Sequence, residues 1–415
     1  MSAEILKAPT GTHDVLPPES ARWEALEATF GALAGRAGFG LLRTPVFEDA
    51  GVFKRVGEAT DVVRKEMYEF DDRGGRHLAL RPEGTAAVVR AFVQHRPPVP
   101  WKVWYLAPMF RYERPQAGRY RQHHQLGVEV LGSDDADLDV EVIALQHDLY
   151  ASLGLTRVTL AVNSLGDAAG RPAYDALLLE HLSARTLCDE HRERVAENPL
   201  RVLDCKRPAC TDATADAPRL VDHLDPASRA HFERVLAGLA AAGVEAEVDP
   251  RLVRGLDYYT RSTWEFRADA LPGAQNGIGG GGRYDALVER MGGPATAGIG
   301  FGTGVERILL ACDAEGVFPA SPPGLDAFVV DVTGGEVARD LVAELRRAGL
   351  GADRAYDGRS MKSQMKQADR SGARVALIVG EDERAAGQVT LRPLAGGEQE
   401  RVDRGDVIER VRTRP

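Results

Sequence analysis

The clearest indication of architecture lies in residues 109–129, which read MFRYERPQAGRYRQHHQLGVE. The two ends of this stretch are strand-like, and Pro115 and Gly118 predict a turn between them. Four arginines crowd the turn: Arg111, Arg114, Arg119 and Arg121. An arginine at a strand end, followed by a basic loop and a second strand, presents rigid guanidinium groups that suit a phosphate. The alternative is a solvated basic hairpin, and the acidity of the surrounding chain weakens it.

Working outward, three segments are strand-like and carry charged or polar residues at one end: residues 101–111, 125–131 and 262–267. They predict an antiparallel sheet with one face bearing ligand groups. From about residue 166 to 243 the pattern becomes helical. We therefore predict an α+β domain over residues 1–324 that contains a mostly helical insertion.

A composition break follows at residues 316–324, which read GVFPASPPG and predict a linker. Beyond it, residues 326–333 and 375–380 are β-branched runs, and residues 337–348 have a helical period. Strand, helix and strand with short loops predict a small α/β domain over residues 325–415 with parallel pairing.

Composition narrows the protein class. The chain has 415 residues, 44% of them apolar, and a net charge of 52 − 62 = −10. This excludes disorder and argues against a non-specific polyanion-coating protein. Four cysteines do not make a disulfide framework. Residues 1–20 do not resemble a signal peptide, and no apolar run approaches the ~18 residues that cross a bilayer. We expect a cytoplasmic protein with no membrane partner.

Other segments leave alternatives open. Glu83 precedes a helix-like run, so it is either a helix-start carboxylate or a ligand. Arg254 and Asp257 flank a glycine beside two tyrosines, as a structural pair or a pocket wall. Residues 277–284, GIGGGGRY, match G-x-G-x-x-G only formally, and we expect close approach of a ligand there. The P-loop motif is absent, which excludes a P-loop NTPase. Arg307 lies about 150° from the apolar stripe of its helix, facing either solvent or a ligand.

These segments together resemble class II aminoacyl-tRNA synthetases, and specifically the histidyl-tRNA synthetase family. The resemblance covers nearly the whole chain. It is carried by Gly-Thr-His-Asp at 11–14, Arg-Pro-Glu-Gly-Thr at 81–85, block 109–132, Arg-Gly-Leu-Asp-Tyr-Tyr at 254–259, Gly-Gly-Arg-Tyr-Asp at 281–285 and Gly-Val-Glu-Arg at 304–307. It implies an α+β catalytic domain built on an antiparallel sheet, with a helical insertion, and a C-terminal α/β anticodon-binding domain.

The resemblance also implies an activity, that of a histidine–tRNA ligase. Such an enzyme activates L-histidine with ATP to histidyl-adenylate and pyrophosphate, then transfers histidine to the 3′ end of tRNA(His). The implied catalytic residues are Arg111 and Arg254. The implied histidine-binding residues are Glu83, Thr85, Arg111, Gln125, Glu129, Arg254, Tyr258, Tyr259 and Tyr284. The implied ATP-binding residues are Arg111, Glu113, Arg119 and Arg307, and Mg²⁺ accompanies the ATP.

The implied tRNA contacts fall into two groups. The acceptor end meets Arg114, Gln116 and Arg121. The anticodon region meets a basic stripe at four-residue spacing, Lys362, Lys366, Arg370 and Arg374, for which a solvated helix face is the alternative. The resemblance further implies a homodimer, with an interface motif in residues 39–46.

Two rival functions and one question about a metal site remain at this stage. A non-catalytic paralogue, the regulatory subunit of ATP phosphoribosyltransferase, typically lacks an intact motif at 254–259 and the anticodon domain. A class II synthetase for another amino acid is disfavoured by Glu129, Tyr258 and Tyr259. Cys188, His191, Cys205 and Cys210 have the spacing C-x2-H…C-x4-C of zinc ligands. Because metal binding is not a general trait of the family, we expect free cysteines there and no zinc.

Overall fold

The computed structural model describes residues 5–57, 62–167, 169–253, 258–273, 276–320 and 324–413. The chain divides into two compact units, Met1–Ala320 and Ser321–Pro415. Among the described helices, none combines the length and the apolar character that crossing a bilayer requires.

The first unit is organised around its strands. In its described part these are β1 (Gly40–Leu41), β2 (Phe47–Asp49), β3 (Tyr68–Asp71), β4 (His77–Leu80), β5 (Trp101–Phe110), β6 (Gln122–Leu131), β7 (Val158–Ser164), β8 (Glu247–Val248), β9 (Thr260–Ala268), β10 (Gly277–Arg283) and β11 (Gly298–Gly304). One sheet has the order β1-β5-β6-β11-β10-β9-β7-β8, and β2-β4-β3 form a smaller one. The strands from β5 to β7 in that order all pair antiparallel. This confirms the predicted antiparallel sheet, and the three predicted strands are β5, β6 and β9.

Helices cover this sheet. The described ones are α1 (Glu19–Arg36), α2 (Ala50–Gly57), α3 (Thr85–His95), α4 (Ala136–Ser152), α5 (Arg171–Ser183), α6 (Asp189–Arg192), α7 (Pro208–Ala213), α8 (Pro226–Ala241), α9 (Leu287–Arg290) and α10 (Val305–Glu315). The main core joins α1, α4, α8 and α10 to the sheet through side chains such as Phe30, Trp264 and Phe301. Two helix starts are fixed by aspartates: Asp135 accepts from the amide of residue 137, and Asp225 from those of residues 227 and 228.

The helical region predicted at 166–243 is divided between two cores. Side chains of α5, α7 and the 3-10 turn Pro199–Val202 form a small cluster around Leu178, Val202 and Cys210. Helix α8 instead packs against α4, and its Phe232 and Leu239 belong to the main core. The sequence between α5 and α8 therefore builds a small subdomain with an apolar centre of its own.

The second unit contains β12 (Ala327–Asp331), α11 (Glu336–Arg347), β13 (Ala352–Arg354), α12 (Met361–Arg370), β14 (Val375–Val379), α13 (Glu381–Ala386), β15 (Gln388–Pro393), β16 (Glu400–Asp403) and α14 (Val407–Thr413). Its sheet has the order β13-β12-β14-β15-β16. The pairs β12–β13 and β12–β14 are parallel, as predicted. The pairs β14–β15 and β15–β16 are antiparallel, which the sequence analysis did not anticipate.

The basic stripe is shorter than its spacing predicted. Lys362, Lys366 and Arg370 are exposed on α12. Arg374 lies beyond the end of that helix, where Nη2 is 2.7 Å from Asp326 Oδ1 and 3.1 Å from the carbonyl oxygen of Val411. The assignment of Arg374 to the stripe was wrong, because this guanidinium joins β14 to the C-terminal helix.

Candidate active site

The glycines of β10 and β11 make room for side chains of neighbouring segments. Gly300 pairs with Glu129 of β6, and a Cβ at Gly300 would lie 1.8 Å from Glu129 Oε2. A Cβ at Gly302 would lie 1.7 Å from Gln125 Nε2, and one at Gly282 would lie 2.6 Å from the Tyr259 ring. These positions accept only glycine without a shift of their neighbours. We expected a ligand to lie close to the backbone of residues 277–284. At Gly282 it is a side chain of the protein itself, Tyr259, that takes this place.

Glu129 lies buried at the centre of this site. Its carboxylate accepts hydrogen bonds from Thr85 Oγ1 at 2.6 Å and from the hydroxyl of Tyr284. Burial raises the pKa of Glu129 to about 8, the hydrogen bonds from Thr85 and Tyr284 oppose that rise, and the carboxylate of Glu83 adds to it. The ring of Tyr258 packs edge-on to that of Tyr284, with centroids 5.8 Å apart, and on the ring of Tyr259 at 4.7 Å. The ionisable carboxyl group of Glu129 therefore lies beside a cluster of tyrosine rings.

Glu83 has the helix-start role that the sequence left open. Its carboxylate accepts from the backbone amides of Thr85 at 2.7 Å and Ala86 at 2.8 Å, at the first turn of α3. Burial raises the pKa of this carboxyl group, while those amides and the charge of Arg111 act in the opposite direction. A carboxylate has about four acceptor positions, so the capping bonds leave acceptor capacity for a ligand.

The buried polar atoms that lack a hydrogen-bond partner among the described residues include two near Glu129: Gln125 Oε1 and the hydroxyl of Tyr105. Tyr105 pairs with Gly127 across β5 and β6, and a Cβ at Gly127 would lie 2.6 Å from its hydroxyl. Buried polar groups in folded proteins are nearly always hydrogen-bonded. Both atoms therefore point to a polar ligand.

A cavity of about 260 Å³ adjoins these residues and is lined by three of the predicted arginines, Arg111, Arg119 and Arg307. Arg111 Nε donates to the carbonyl of Pro82 at 2.8 Å, and Arg119 Nε lies 2.7 Å from Glu113 Oε2. Arg307 donates to the carbonyls of Gly118 at 3.1 Å and Gly277 at 2.7 Å. Arg307 therefore faces the cavity and not bulk solvent, which was the other direction that its helix position allowed.

The cavity wall carries both charges: the three arginines, and the carboxylates of Glu113, Glu265 and Glu306. Burial lowers the pKa of Arg307, and the neighbouring charge of Arg119 lowers it further. Three guanidinium groups around one space repel each other and are relieved by a multivalent anion.

Sequence reasoning missed His123, Glu265 and Tyr105. His123 and Glu265 line the cavity. Burial lowers the pKa of His123 to about 3, and the charges of Arg111, His124 and Arg307 contribute, so the imidazole is neutral near pH 7. The pair of histidines in β6 was the available signal, since adjacent strand residues face opposite sides. His124 accordingly turns away and bonds Glu306, with Nδ1 and Oε1 3.1 Å apart.

Among the described residues, those predicted to contact the tRNA acceptor end do not line this cavity. Arg114 and Gln116 are exposed in the loop between β5 and β6. Arg121 stacks on Tyr112, with its guanidinium carbon 4.0 Å from the ring centroid. A Cβ at Gly11, where φ is +85°, would lie 2.6 Å from Arg121 Cγ, which explains the glycine in the 11–14 motif. Arg254 lies outside the described residues.

Comparison with known proteins gives a consistent result. The family model described as "Histidyl-tRNA synthetase" matches residues 11–308, and one described as "Anticodon binding domain" matches residues 326–414. The histidine–tRNA ligase of Rhodococcus erythropolis is 51% identical over 416 residues, covering 99% of this chain and 98% of the relative. That of Saccharopolyspora erythraea is 50% identical, covering 98% of each. The crystal structure of apo histidyl-tRNA synthetase from S. aureus is 36% identical with a TM-score of 0.84, covering 99% of this chain and 100% of the other.

Proposed function

This chain belongs to the histidyl-tRNA synthetase family, and on that premise we propose that it is a histidine–tRNA ligase whose site lies in the cavity described above. Its substrates are L-histidine, ATP and tRNA(His). One observation carries the proposal: a pocket that contains buried polar groups without partners lies next to a cavity lined by three arginines. The first suits an amino acid, and the second suits a triphosphate.

The amino-acid pocket has groups for both ends of histidine. We assign the two imidazole nitrogens to Glu129 and Tyr259, with Tyr258 and Tyr284 closing the pocket. The α-ammonium group meets Glu83, Thr85 and Gln125, of which Gln125 Oε1 is the acceptor left without a described partner. An apolar analogue would leave these buried polar groups unpaired, so the pocket rejects such analogues strongly.

The arginine-lined cavity is assigned to ATP, which enters as its magnesium complex. Arg111 contacts the α-phosphate and the carboxylate of histidine, Arg119 and Arg307 hold the outer phosphates, and Glu113 lies near the adenine. The resemblance adds Arg254 opposite Arg111. Carboxylates on the cavity wall, such as that of Glu265, are the kind of oxygen ligand that Mg²⁺ or its bound waters prefer.

The reaction follows from this arrangement. The histidine carboxylate attacks the α-phosphorus in line, and pyrophosphate leaves. Negative charge grows on the phosphoryl oxygens, so arginines already fixed by bonds to Pro82, Gly118 and Gly277 stabilise the transition state without having to reorganise. The terminal ribose hydroxyl of tRNA then attacks the carbonyl carbon of the adenylate, the bond from that carbon to the phosphate oxygen breaks, and AMP leaves.

Two surfaces are assigned to tRNA. The exposed loop carrying Arg114 and Gln116, with Arg121 at its base, receives the acceptor end. The exposed cations of α12, Lys362, Lys366 and Arg370, contact phosphates near the anticodon. Because charged tRNA is consumed in translation, we infer that the enzyme works in the cytoplasm.

A homodimer is the proposed assembly. Apolar side chains near the 39–46 motif remain exposed in the single chain, including Leu41, Val46 and Phe47. The ring of Phe47 also contacts that of Phe70, which is exposed as well. Several exposed apolar side chains in one segment are typical of an interface between copies.

The decisive experiment is exchange of labelled pyrophosphate into ATP without tRNA, using each of the twenty amino acids separately. We expect exchange with histidine alone. Charging of tRNA(His) in a second assay would complete the activity. A folded protein that binds histidine but supports no exchange would overturn the enzyme assignment in favour of the regulatory paralogue.

A further inference from the structure

Four side chains converge in the small subdomain between α5 and α8. Cys188, His191, Cys205 and Cys210 each offer one ligand atom, and these atoms all lie within 4.8 Å of one another. Cys188 Sγ is 3.1 Å from His191 Nδ1, and Cys210 Sγ is 3.8 Å from the same nitrogen. Around a tetrahedral zinc ion, bonds of about 2.3 Å to sulfur and about 2.0 Å to nitrogen place neighbouring donors roughly 3.5–3.8 Å apart. The observed separations approach that spacing.

Local backbone structure holds the donors in place. Cys188 precedes the first turn of α6, and its carbonyl accepts from the amide of His191 at 3.1 Å, so both side chains lie on one turn. The amide of Cys188 donates to Cys210 Sγ at 3.4 Å, which joins this turn to α7. Directly after the end of α7, Thr214 Oγ1 donates to the carbonyl of Cys210 at 2.8 Å. Outer contacts of this kind orient metal ligands.

The chemistry of the set matches a structural metal. Cys188, Cys205 and Cys210 are free thiols. Three thiolates and one imidazole fill a tetrahedral shell and leave no position for water or substrate. Cys210 is buried in the subdomain's apolar cluster, and the other three donors are half-buried beside it. A core this small gains much from a metal that crosslinks it.

We propose that Cys188, His191, Cys205 and Cys210 form a structural zinc site that ties α6 and α7 to the segment after the Pro199–Val202 turn. This reverses the expectation of free cysteines. Binding converts the three thiols to thiolates and releases their protons to solvent. The shell is closed, so the ion stabilises the subdomain and takes no part in the reaction. The inference does not depend on the proposed ligase activity.

The test measures metal directly in the full-length protein, purified with zinc and without chelators. Elemental analysis should give about one zinc per chain. Cys188→Ser, Cys205→Ser and His191→Asn should each lower the retained zinc roughly tenfold or more. The matched control is Cys312→Ala, since Cys312 is the remaining cysteine and is buried in the main core. It should keep the full zinc content.

A second measurement covers variants that fail to fold. Wild-type protein stripped with a chelator is titrated with cobalt(II), and the visible bands of tetrahedral cobalt with a thiolate-to-cobalt charge-transfer band should saturate at about one equivalent. Wild-type protein that retains no zinc and shows no charge-transfer band would overturn the proposal. A Cys188–Cys210 disulfide found by mass mapping of freshly purified protein would overturn it as well. Pyrophosphate exchange is read separately, so failure of either proposal leaves the other intact.

Discussion

Replacing Glu129 with glutamine tests the electrostatics of the proposed histidine pocket. Burial raises the pKa of Glu129 to about 8 from an ordinary value of 4.5. The folded protein therefore binds this proton more tightly than the unfolded chain. The resulting stability is fully present below about pH 4.5 and is lost progressively as the pH rises to about 8. Over that range the group changes the free energy of unfolding by about 1.4 kcal/mol per pH unit.

The magnitude follows from the width of the window. Between about pH 5.5 and about pH 7.5, the wild type should lose on the order of 3 kcal/mol relative to the Glu129→Gln variant, whose amide does not titrate. Urea unfolding of both proteins at each pH measures the difference, and other titrating groups cancel in the comparison. Glu24→Gln on the exposed face of α1 controls for the lost negative charge. A constant difference between wild type and Glu129→Gln across this window would refute the reasoning.

The same variant has a functional readout. Because Glu129 holds its proton near pH 7, the variant loses a neutral hydrogen bond, which costs about 0.5–1.5 kcal/mol and corresponds to a rise of roughly 2- to 13-fold in the KM for histidine. The KM for ATP should stay unchanged, because Glu129 does not line the arginine cavity. A variant in which the two KM values rise together would place Glu129 outside the histidine pocket.

Three further changes test the rest of the site. Gly300→Ala puts a Cβ 1.8 Å from Glu129 Oε2. We therefore expect a lower Tm and a KM for histidine that rises at least about tenfold. Gly35→Ala is the control and should change neither quantity, because no atom lies within 4 Å of its added Cβ. Arg307→Lys loses the forked bonds to two carbonyls and should reduce kcat for pyrophosphate exchange by about 100-fold with an unchanged circular dichroism spectrum. Replacing all three exposed cations of α12 with glutamine should raise the KM for tRNA and leave pyrophosphate exchange unaltered. The slope of log affinity for tRNA against log salt concentration should become shallower by up to about 3. An unaltered slope would place the tRNA elsewhere. Those cations are Lys362, Lys366 and Arg370.

Local patterns predicted much of the fold. The alternation in β5 and β6 and the β-rich run of β9 were sufficient to place three strands of the large sheet, since each pattern reflects burial within one segment. In the second sheet, the parallel strands β12 and β14 were predicted in the same way, from their apolar runs. The antiparallel half was missed because β15 (QVTLRP) and β16 (ERVD) mix charged and apolar residues, unlike the apolar runs of β12 and β14.

The failure at Arg374 has a specific cause. A four-residue spacing predicts one helix face only as long as the helix continues. Here α12 ends at Arg370, and Gly372 adopts a φ of +69°, a left-handed conformation that turns the chain towards β14. The glycine was visible in the sequence, but the charge pattern was extended past it.

The site itself shows where sequence reasoning stops. Arg307 had two possible directions, and the choice depends on which strand or loop lies across from it. Arg307 faces the cavity because the carbonyls of Gly118 and Gly277 lie there to accept its bonds. These carbonyls belong to segments 189 and 30 residues away along the chain. No pattern within α10 contains that information.

One part of the site could nevertheless be predicted from the sequence by comparing two strands, β6 and β11. In β11, residues 298, 300, 302 and 304 are all glycine, and the alternate residues Ile299 and Phe301 pack in the main core. In β6, Gln125 and Glu129 are four residues apart and therefore share one face. Antiparallel pairing brings the glycine face of β11 beside that face of β6. A strand with glycine at every second position next to a strand with polar residues on the matching face leaves a trough lined by polar groups. The glycines of β11 thus act through the space they leave for Gln125 and Glu129.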